Sequence, residues 1–194
     1  MVENDLNRFL PPAIYLCPGN AINIFKVGLN FFFSNITDFA DNTKLDYYKT
    51  SLENLYQNQD VKNYIKGKKA EAVVIHYLDE NCSCSKFSKY HIEKLENRYK
   101  SNGIIYLNIS EKKDQKLNGK VENIFSLKNI PASPAVAIFN SEGDLSYFGP
   151  YSDDYFCGTD ADSFAEKSIN KILAGKKFSD FNLLTAGCFC KSEV

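Results

Sequence analysis

The feature that most constrains this 194-residue chain is a largely apolar run, residues 72–78, that ends at a polar turn. Its β-branched and aromatic side chains are typical of a strand buried on both faces. Residues 85–100 follow with apolar positions four apart, which predicts a helix. Residues 103–109 then repeat the buried-strand pattern. This order predicts a right-handed βαβ unit whose two strands are parallel.

The next part of the chain predicts a hairpin and a closing helix. Residues 135–139 are apolar, residues 140–143 are turn-forming, and residues 144–150 form a second strand pattern. Residues 161–174 have helical spacing, and Asp160 is the expected N-cap. Strands and helices alternating in this way predict the α/β fold class.

Composition and charge bound the classes of function. With 23 Lys+Arg against 24 Asp+Glu the net charge is -1, so the basic surface that nucleic acid binding demands is missing and no nucleic acid partner is expected. Fifteen Phe and twelve Tyr can build one large core. The expected domains are a helical N-terminal extension, residues 1–66, a globular domain, residues 67–175, and a packed C-terminal tail, residues 176–194.

The N-terminal extension has no recognisable targeting signal. It lacks a basic start and a small-residue cleavage site, and its apolar stretches fall short of the roughly 18 to 20 residues that a spanning helix needs. Residues 20–39 have an apolar helical face, which we expect to dock on the domain rather than on a membrane because Lys26 is its only cation. A cytoplasmic location is the default expectation, with a membrane-associated or periplasmic one as the alternative.

The six cysteines are distributed unevenly. Closely spaced thiols indicate redox or metal chemistry, whereas isolated cysteines often only fill space. Two C-x-C pairs and two single cysteines are present: Cys82 with Cys84, Cys188 with Cys190, and Cys17 and Cys157 alone.

Cys82 is predicted to be the reactive nucleophile. It lies where the first strand gives way to a helix, whose free N–H groups and dipole stabilise a thiolate relative to a thiol, and Lys86 adds positive charge. In a helix, Cys84 would point to nearly the opposite face from Cys82, so a bond between them would require the turn to unwind. An inert cysteine that merely fits the turn is the alternative for Cys82.

Short motifs support a comparison with known proteins. Residues 82–86 read Cys-Ser-Cys-Ser-Lys at the strand-to-helix turn, and Ser133-Pro134 precedes the hairpin strand. With the order of elements over residues 70–175, these motifs resemble the thioredoxin-like superfamily, and with the terminal Gly-Cys-Phe-Cys they look like an uncharacterised bacterial family within it. The resemblance implies a three-layer α/β/α fold with a mixed central sheet.

The same resemblance implies roles for individual residues. In its register Ser85 replaces the second cysteine of the usual Cys-x-x-Cys motif, and His76 stands where the family has a buried acid. Pro134 is expected to follow a cis peptide bond and to hold Ser133 where an extended peptide can pair. His76 is either a proton shuttle for thiol exchange or a silent core histidine.

Because Ser85 leaves Cys82 without the usual partner, a resolving thiol must come from a rearranged Cys84 or from elsewhere. Cys157 lies in a loop that borders the active cysteine in this fold, and the tail carries Cys188 and Cys190. We expect the tail to pack against Cys82, helped by Phe178, Phe181, Leu183 and Leu184. The alternative is that Cys157 pairs with Cys188 or Cys190 only to fasten the tail.

Three classes of function stay open from the sequence. The favoured one is a thiol–disulfide oxidoreductase that needs no cofactor and acts on protein or small-molecule thiols and disulfides. The second is a protein that binds Zn²⁺, Cu(I) or an iron–sulfur cluster through thiolates. The third is a redox-inert binding module. The candidate metal ligands are Cys82, Cys84, Cys157, Cys188 and Cys190.

Overall fold

The computed structural model describes residues 36–40, 42–79, 81–109, 130–152 and 163–191. Most of the N-terminal extension lies outside these residues, as do Cys17 and Cys157, so the expectations for them stay predictions. Asp160 also lies outside them, but the start of the helix that it was expected to cap is described. Among the described residues, no helix is both long and apolar enough to cross a bilayer.

The described strands are of two kinds. Four strands of five or six residues carry the apolar runs recognised in the sequence, and the others, of two or three residues, either belong to the tail or pair with it. The strands are β1 (Ile36–Asp38), β2 (Ala72–Tyr77), β3 (Ile104–Ile109), β4 (Ala132–Ser133), β5 (Ala135–Asn140), β6 (Leu145–Gly149), β7 (Asp180–Phe181), β8 (Ala186–Cys188) and β9 (Cys190–Lys191).

Four α-helices lie between these strands in the described residues: α1 (Leu45–Gln57), α2 (Gln59–Ile65), α3 (Ser83–Arg98) and α4 (Phe164–Leu173). A 3-10 turn, Asn42–Lys44, leads into α1. The helix predicted to run through the end of the extension is divided at Asn58, whose backbone is extended. The break starts α2 in a new direction and lets both helices reach the sheet.

The central sheet is mixed and has the strand order β3-β2-β5-β6-β7. β2 and β3 are parallel, with Ala72 aligned to Ile104, which confirms the predicted βαβ unit. β5 and β6 form the predicted antiparallel hairpin, and β5 also pairs antiparallel with β2. β7 pairs parallel with β6, so the sheet contains two parallel pairs and one hairpin, a mixed arrangement that fits an α/β fold.

Helices cover both faces of this sheet. Val73 of β2 packs in one cluster with Leu52 of α1, whereas Val74 packs in the other with Leu95 of α3 and Ile169 of α4. Alternate side chains of a strand point to opposite faces, so β2 supplies both clusters. Each such buried aliphatic side chain contributes about 1.5 to 3 kcal/mol. The continuous apolar pattern of β2 follows from this two-sided burial.

The N-cap of α4 differs from the sequence prediction. The helix begins at Phe164, and its cap is Ser163, whose Oγ accepts a hydrogen bond from the backbone N–H of Glu166 at 3.3 Å. The same hydroxyl donates to the carbonyl of Tyr151 at 3.0 Å. Ser163 is therefore the cap because it meets both the helix and the end of the hairpin, a contact that sequence spacing does not reveal.

Residues 36–38 were expected at the end of a helical face, and they form the strand β1 instead. β1 pairs antiparallel with β8 of the tail, with Asp38 aligned to Ala186. The helical spacing is overridden because an extended backbone finds hydrogen-bond partners on a segment that is distant in sequence.

Three short strands of the tail pair with strands from other parts of the chain. β7 extends the main sheet next to β6, β8 pairs with β1, and β9 pairs with β4. Leu183 is buried as expected, but Leu184 is 71% exposed, so the expectation that it packs is wrong. In the extended backbone after β7, neighbouring side chains point in opposite directions, and only one of the two leucines can face the core.

Candidate functional site

Cys82 is the N-cap residue of α3, directly after the turn that follows β2. Its N–H donates to the carbonyl of Asp79 at 3.0 Å, and its own carbonyl accepts from the N–H of Ser85 at 3.1 Å. These two bonds hold the cysteine at the start of the helix. Its side chain is 1% exposed, in the positive field of the helix N-terminus.

Ser133, in the short strand β4, forms the opposite wall of the site. Its carbonyl oxygen lies 3.5 Å from Cys82 Sγ. Its hydroxyl accepts from the N–H of Asp79 at 2.8 Å and lies 2.8 Å from Ser85 Oγ. The Ser133–Pro134 peptide bond is cis, as predicted. Ser85, which stands in place of the second cysteine of the usual Cys-x-x-Cys motif, therefore hydrogen-bonds to Ser133 beside Cys82.

The tail lies along the same edge. In β9, Cys190 is aligned with Ser133 of β4, and in β8, Cys188 is aligned with Ile36 of β1. Between them Phe189 is 6% exposed, and its ring meets that of Phe39 edge-on at a centroid distance of 5.2 Å. The ring contact of Phe189 and the pairings of β8 and β9 therefore fix the positions of Cys188 and Cys190.

Two disulfides join the tail to the start of α3. Cys82 is bonded to Cys190 with a Cα–Cα distance of 5.8 Å, and Cys84 is bonded to Cys188 with 5.6 Å. The expectation that the tail thiols approach Cys82 is confirmed. The alternative in which Cys157 pairs with Cys188 or Cys190 is wrong, because the two C-x-C segments run in opposite directions and bond to each other.

Three of these sulfur atoms are closer to one another than the sequence suggested. The Sγ atoms of Cys82, Cys84 and Cys190 all lie within 4.8 Å of one another. Two cysteines in one regular helix would diverge, but the backbone of Cys82 is extended, with φ -79° and ψ 115°. As an N-cap it therefore directs its side chain toward the same side as Cys84.

His76 lies in a separate buried cluster. It is fully buried in β2, and its Nδ1 atom lies 2.7 Å from the hydroxyl oxygen of Tyr151. Its Nε2 atom is 3.8 Å from a carboxylate oxygen of Glu96, and its ring stacks on Tyr106. Burial lowers the pKa of His76 to about 3, so the ring is neutral at neutral pH. A role for His76 in thiol proton transfer stays a prediction.

Burial also shifts the pKa values of two neighbours of His76, Tyr151 and Glu96. Burial raises the pKa of Tyr151, and the nearby Glu96 raises it further. Burial and the neighbouring Glu93 raise the pKa of Glu96. His76 Nε2 has no hydrogen-bond partner among the described residues. The cluster thus holds its histidine ring in the uncharged form.

Sequence reasoning missed Phe189 and Phe39 as determinants of the site. Phe39 is fully buried and contacts both Phe189 and Phe148. One sequence signal was available, the glycine before the C-x-C pair. A Cβ atom at Gly187 would lie 2.9 Å from the ring of Phe189, so the ring needs a glycine there. This contact explains the spacing of the Gly-Cys-Phe-Cys segment.

Fold and site together define a mixed α/β protein with a cluster of paired cysteines at a helix start. Residues 49–192 match the family described as "Domain of unknown function (DUF6436)", and the chain belongs to that family. A search of curated proteins finds no match.

Solved structures with a similar course of the chain include two uncharacterised proteins. A hypothetical protein from Sinorhizobium meliloti 1021 is 13% identical, with a TM-score of 0.47 over 64% of this chain and 80% of that one. An uncharacterised conserved protein from Geobacillus kaustophilus is 15% identical, with a TM-score of 0.49 over 67% and 81%.

Proposed function

We propose that this protein is a thiol–disulfide oxidoreductase in which Cys82 is the nucleophile and the tail supplies the resolving thiol. The observation that carries the proposal is the disulfide between Cys82 and Cys190 beside the loop of Pro134. It joins a cysteine at a helix N-terminus to a strand that lies along β4, as a bound disulfide-containing peptide would lie. A thioredoxin-like arrangement of the domain is part of this proposal.

The reaction follows from the positions of the thiols. With the tail reduced, the Cys82 thiolate attacks a substrate disulfide, forms a mixed disulfide and releases one substrate thiolate. The Cys190 thiolate then attacks the Cys82 sulfur, forms the Cys82–Cys190 bond and releases the second substrate thiolate. The substrate gains two electrons and the protein loses two. The helix N-terminus stabilises Cys82 as the thiolate both as nucleophile and as leaving group.

The surroundings of Cys82 support this role. Ser85 and Ser133 form a hydroxyl pair 2.8 Å apart within the site. The Ser133 carbonyl, 3.5 Å from Cys82 Sγ, accepts a hydrogen bond from the thiol when the disulfide is open. The pairing of the protein's own β9 with β4 supports binding of an extended polypeptide at this edge once the reduced tail has left it. Protein disulfides are therefore the substrate class that we propose.

An insulin reduction assay tests the proposed function. The fully reduced protein is expected to reduce insulin disulfides, and Cys82→Ser to lower the rate at least about a hundredfold, because a serine hydroxyl does not ionise at neutral pH. Ser83→Ala is the matched control, since it changes the neighbouring residue of the same turn. Equal activity in Cys82→Ser and the wild type would show that Cys82 is not the nucleophile, and no activity in the wild type would favour a redox-inert binding module instead.

The sulfur cluster also supports a second candidate, a thiolate metal site. Four thiolates around Zn²⁺, each at about 2.3 Å, lie about 3.7 Å from one another. The three clustered sulfurs are already within 4.8 Å of each other, and reduction of the disulfides would free Cys188 as a fourth ligand. Cu(I) and an iron–sulfur cluster use the same ligand type. Residues 82, 84, 188 and 190 would hold the ion.

Metal analysis and absorption spectra of protein purified under reducing conditions separate the two candidates. A metal site predicts about one bound ion per reduced chain that is lost in Cys84→Ser, whereas a redox site predicts no bound ion in the reduced protein. Protein that stays metal-free when reduced and mixed with Zn²⁺ or Cu(I) would contradict the metal candidate.

A further inference from the structure

The two disulfides of the site are not equivalent. Cys82, Cys84 and Cys190 form the group of sulfurs within 4.8 Å of one another, and Cys188 is not part of it. Cys84, although bonded to Cys188, is therefore near both sulfurs of the other disulfide. A thiolate released at Cys84 would lie beside a bond that it can attack.

The sulfurs also differ in access. Cys82 is 1% exposed and Cys84 is 2% exposed, whereas Cys188 and Cys190 are each half-buried. An incoming thiolate must reach the sulfur that it attacks, so the tail sulfurs are the accessible ones. In either attack the inner cysteine leaves as a thiolate near the positive end of α3.

We propose that an external dithiol enters at Cys188 and that Cys84 relays its electrons to Cys82 through a transient Cys84–Cys190 disulfide. The proposal rests on the oxidoreductase function proposed above and adds to it a route for regenerating the nucleophile. Cys84 acts as the relay cysteine, and Cys188 is the entry point.

The steps balance as follows. One thiolate of the dithiol attacks Cys188, forms a mixed disulfide and releases the Cys84 thiolate. The second thiolate of the dithiol closes it to a disulfide and frees the Cys188 thiolate. The Cys84 thiolate attacks Cys190, forms Cys84–Cys190 and releases the Cys82 thiolate. The dithiol loses two electrons, and the protein exchanges two disulfides for one disulfide and two thiols. After Cys82 has formed its mixed disulfide with substrate, the Cys188 thiolate attacks Cys84, re-forms Cys84–Cys188 and releases the Cys190 thiolate that resolves Cys82.

Electrons can pass from one disulfide to the other when the dithiol enters at Cys188, but not when it enters at Cys190. Attack at Cys190 releases Cys82 directly and leaves the Cys84–Cys188 disulfide closed, because the close neighbour of Cys82 in that disulfide is Cys84. A Cys82–Cys84 bond joins residues two apart at a helix start and would distort the first turn. Attack at Cys188 releases Cys84 next to Cys190, which belongs to a different segment. Only this direction passes the electrons on without disturbing α3.

The tail stays in position while bonds are exchanged. Phe189 is buried against Phe39, and Lys191 Nζ donates to the carbonyl of Phe39 at 3.1 Å. Neither contact involves a cysteine side chain, and the Cys82–Cys190 disulfide still tethers the tail at this step. Cys190 therefore remains beside Cys84 after the Cys84–Cys188 bond opens, and the exchange is intramolecular with a high effective concentration.

The test uses Cys188→Ser, which leaves Cys84 without its partner. Free thiols of the oxidised variant are blocked with N-ethylmaleimide, the disulfide is reduced, and the newly freed thiols are alkylated with iodoacetamide. Tandem mass spectrometry then distinguishes Cys82 from Cys84 within one peptide. We expect the amounts of N-ethylmaleimide-modified Cys82 and Cys84 to agree within about tenfold. The two disulfide isomers, Cys82–Cys190 and Cys84–Cys190, join neighbouring cysteines of the same helix start to the same tail sulfur, so their stabilities should be similar. N-ethylmaleimide on Cys84 alone would overturn the relay.

The double variant Cys84→Ser with Cys188→Ser is the matched control, and its Cys82 is expected to be free of N-ethylmaleimide. Wild-type protein treated with limiting dithiothreitol and quenched with acid gives a second measurement that needs no variant. The relay predicts a species with free Cys82 and Cys188. A species with free Cys84 and Cys188 only would contradict it.

The insulin assay keeps this inference separate from the proposed function. An active wild type with no exchange in either experiment removes the relay and leaves the oxidoreductase. Exchange in a protein that does not reduce insulin supports the relay chemistry and removes the oxidoreductase.

Discussion

At the scale of single residues, Phe189 carries the packing that fixes the tail cysteines. Its ring is 6% exposed and lies against Phe39 in the larger apolar cluster. Cutting a buried phenylalanine back to alanine removes its burial energy and leaves a cavity. The tail geometry therefore depends on an apolar side chain that sits between two cysteines.

We expect Phe189→Ala to lower the free energy of unfolding by about 3 kcal/mol, as measured by urea unfolding with the disulfides intact. Leu184→Ala is the control, since this leucine is 71% exposed and its truncation should change the value by less than about 0.5 kcal/mol. Similar losses in the two variants would show that Phe189 does not anchor the tail.

His76 makes the stability depend on pH in a defined window. Burial lowers its pKa to about 3 from an ordinary 6.5. Between these values the unfolded chain binds a proton on the ring that the folded chain does not. The contribution of His76 to stability is therefore complete above pH 6.5 and is lost as the pH falls toward 3, by an amount on the order of 4 kcal/mol.

Replacing His76 with glutamine should flatten this part of the pH dependence. Urea unfolding of the wild type and of His76→Gln between pH 7 and pH 4 gives the difference. Glu96, whose pKa is raised by burial and by Glu93, is present in both proteins and so does not create the difference by itself. Parallel pH curves for the two proteins would contradict a buried neutral histidine.

At the scale of elements, α4 depends on its cap. Ser163 Oγ accepts from Glu166 N–H and donates to the carbonyl of Tyr151, which ties the helix start to the end of the hairpin. We expect Ser163→Ala to cost about 1 kcal/mol of unfolding free energy. Ser163→Thr, which keeps the hydroxyl, should recover most of it in the same urea titration. A threonine variant no better than alanine would rule out the hydroxyl as the cause.

Strands that form because of their own apolar pattern could be predicted from the sequence, whereas strands that depend on a distant partner could not. β2, β3 and the hairpin could be predicted because each carries a run of apolar side chains long enough to show a pattern. β4 and β7 have two residues each, and β1 has three, so no period can be recognised in them. These short strands exist because a distant segment supplies their hydrogen bonds.

At the scale of the whole molecule, the two disulfides close nearly the same loop. Their sequence separations are 108 and 104 residues. A single bond over about 100 residues restricts the unfolded chain by about 4.7 kcal/mol in the chain-entropy model. Once one bond is closed, the second closes only a few additional residues. The two contributions are therefore expected to be strongly non-additive.

This non-additivity can be measured with paired serine variants. Removing Cys84 and Cys188, or Cys82 and Cys190, should each cost about 1 to 2 kcal/mol beyond local packing, whereas removing all four should cost about 4 kcal/mol or more. Urea unfolding of the three variants and the wild type under oxidising conditions gives the values. Costs that simply add would show that the two bonds restrict different parts of the chain.

Some features of the candidate site could likewise be predicted before the structure was known, and others could not. Cys82 at a helix start could be inferred from the local pattern, and the cis bond before Pro134 and the place of Ser85 in the Cys-x-x-Cys register followed from the resemblance to the thioredoxin-like superfamily. The pairing of Cys84 with Cys188 could not be inferred. In a regular helix Cys84 would face away from Cys82, and only the extended N-cap backbone of Cys82 brings their sulfurs together.

The sequence by itself determined the α/β class, the βαβ unit, the hairpin and the two closely spaced cysteine pairs, since these depend on apolar periodicity and on residue types at fixed local spacing. The tertiary structure decided which cysteines bond, that residues 36–38 are a strand, and that Phe189 rather than Leu184 fills the core. The physical reason is that these outcomes require contacts between segments far apart in the chain. Such contacts arise from packing and hydrogen bonding across the folded molecule and leave no local pattern.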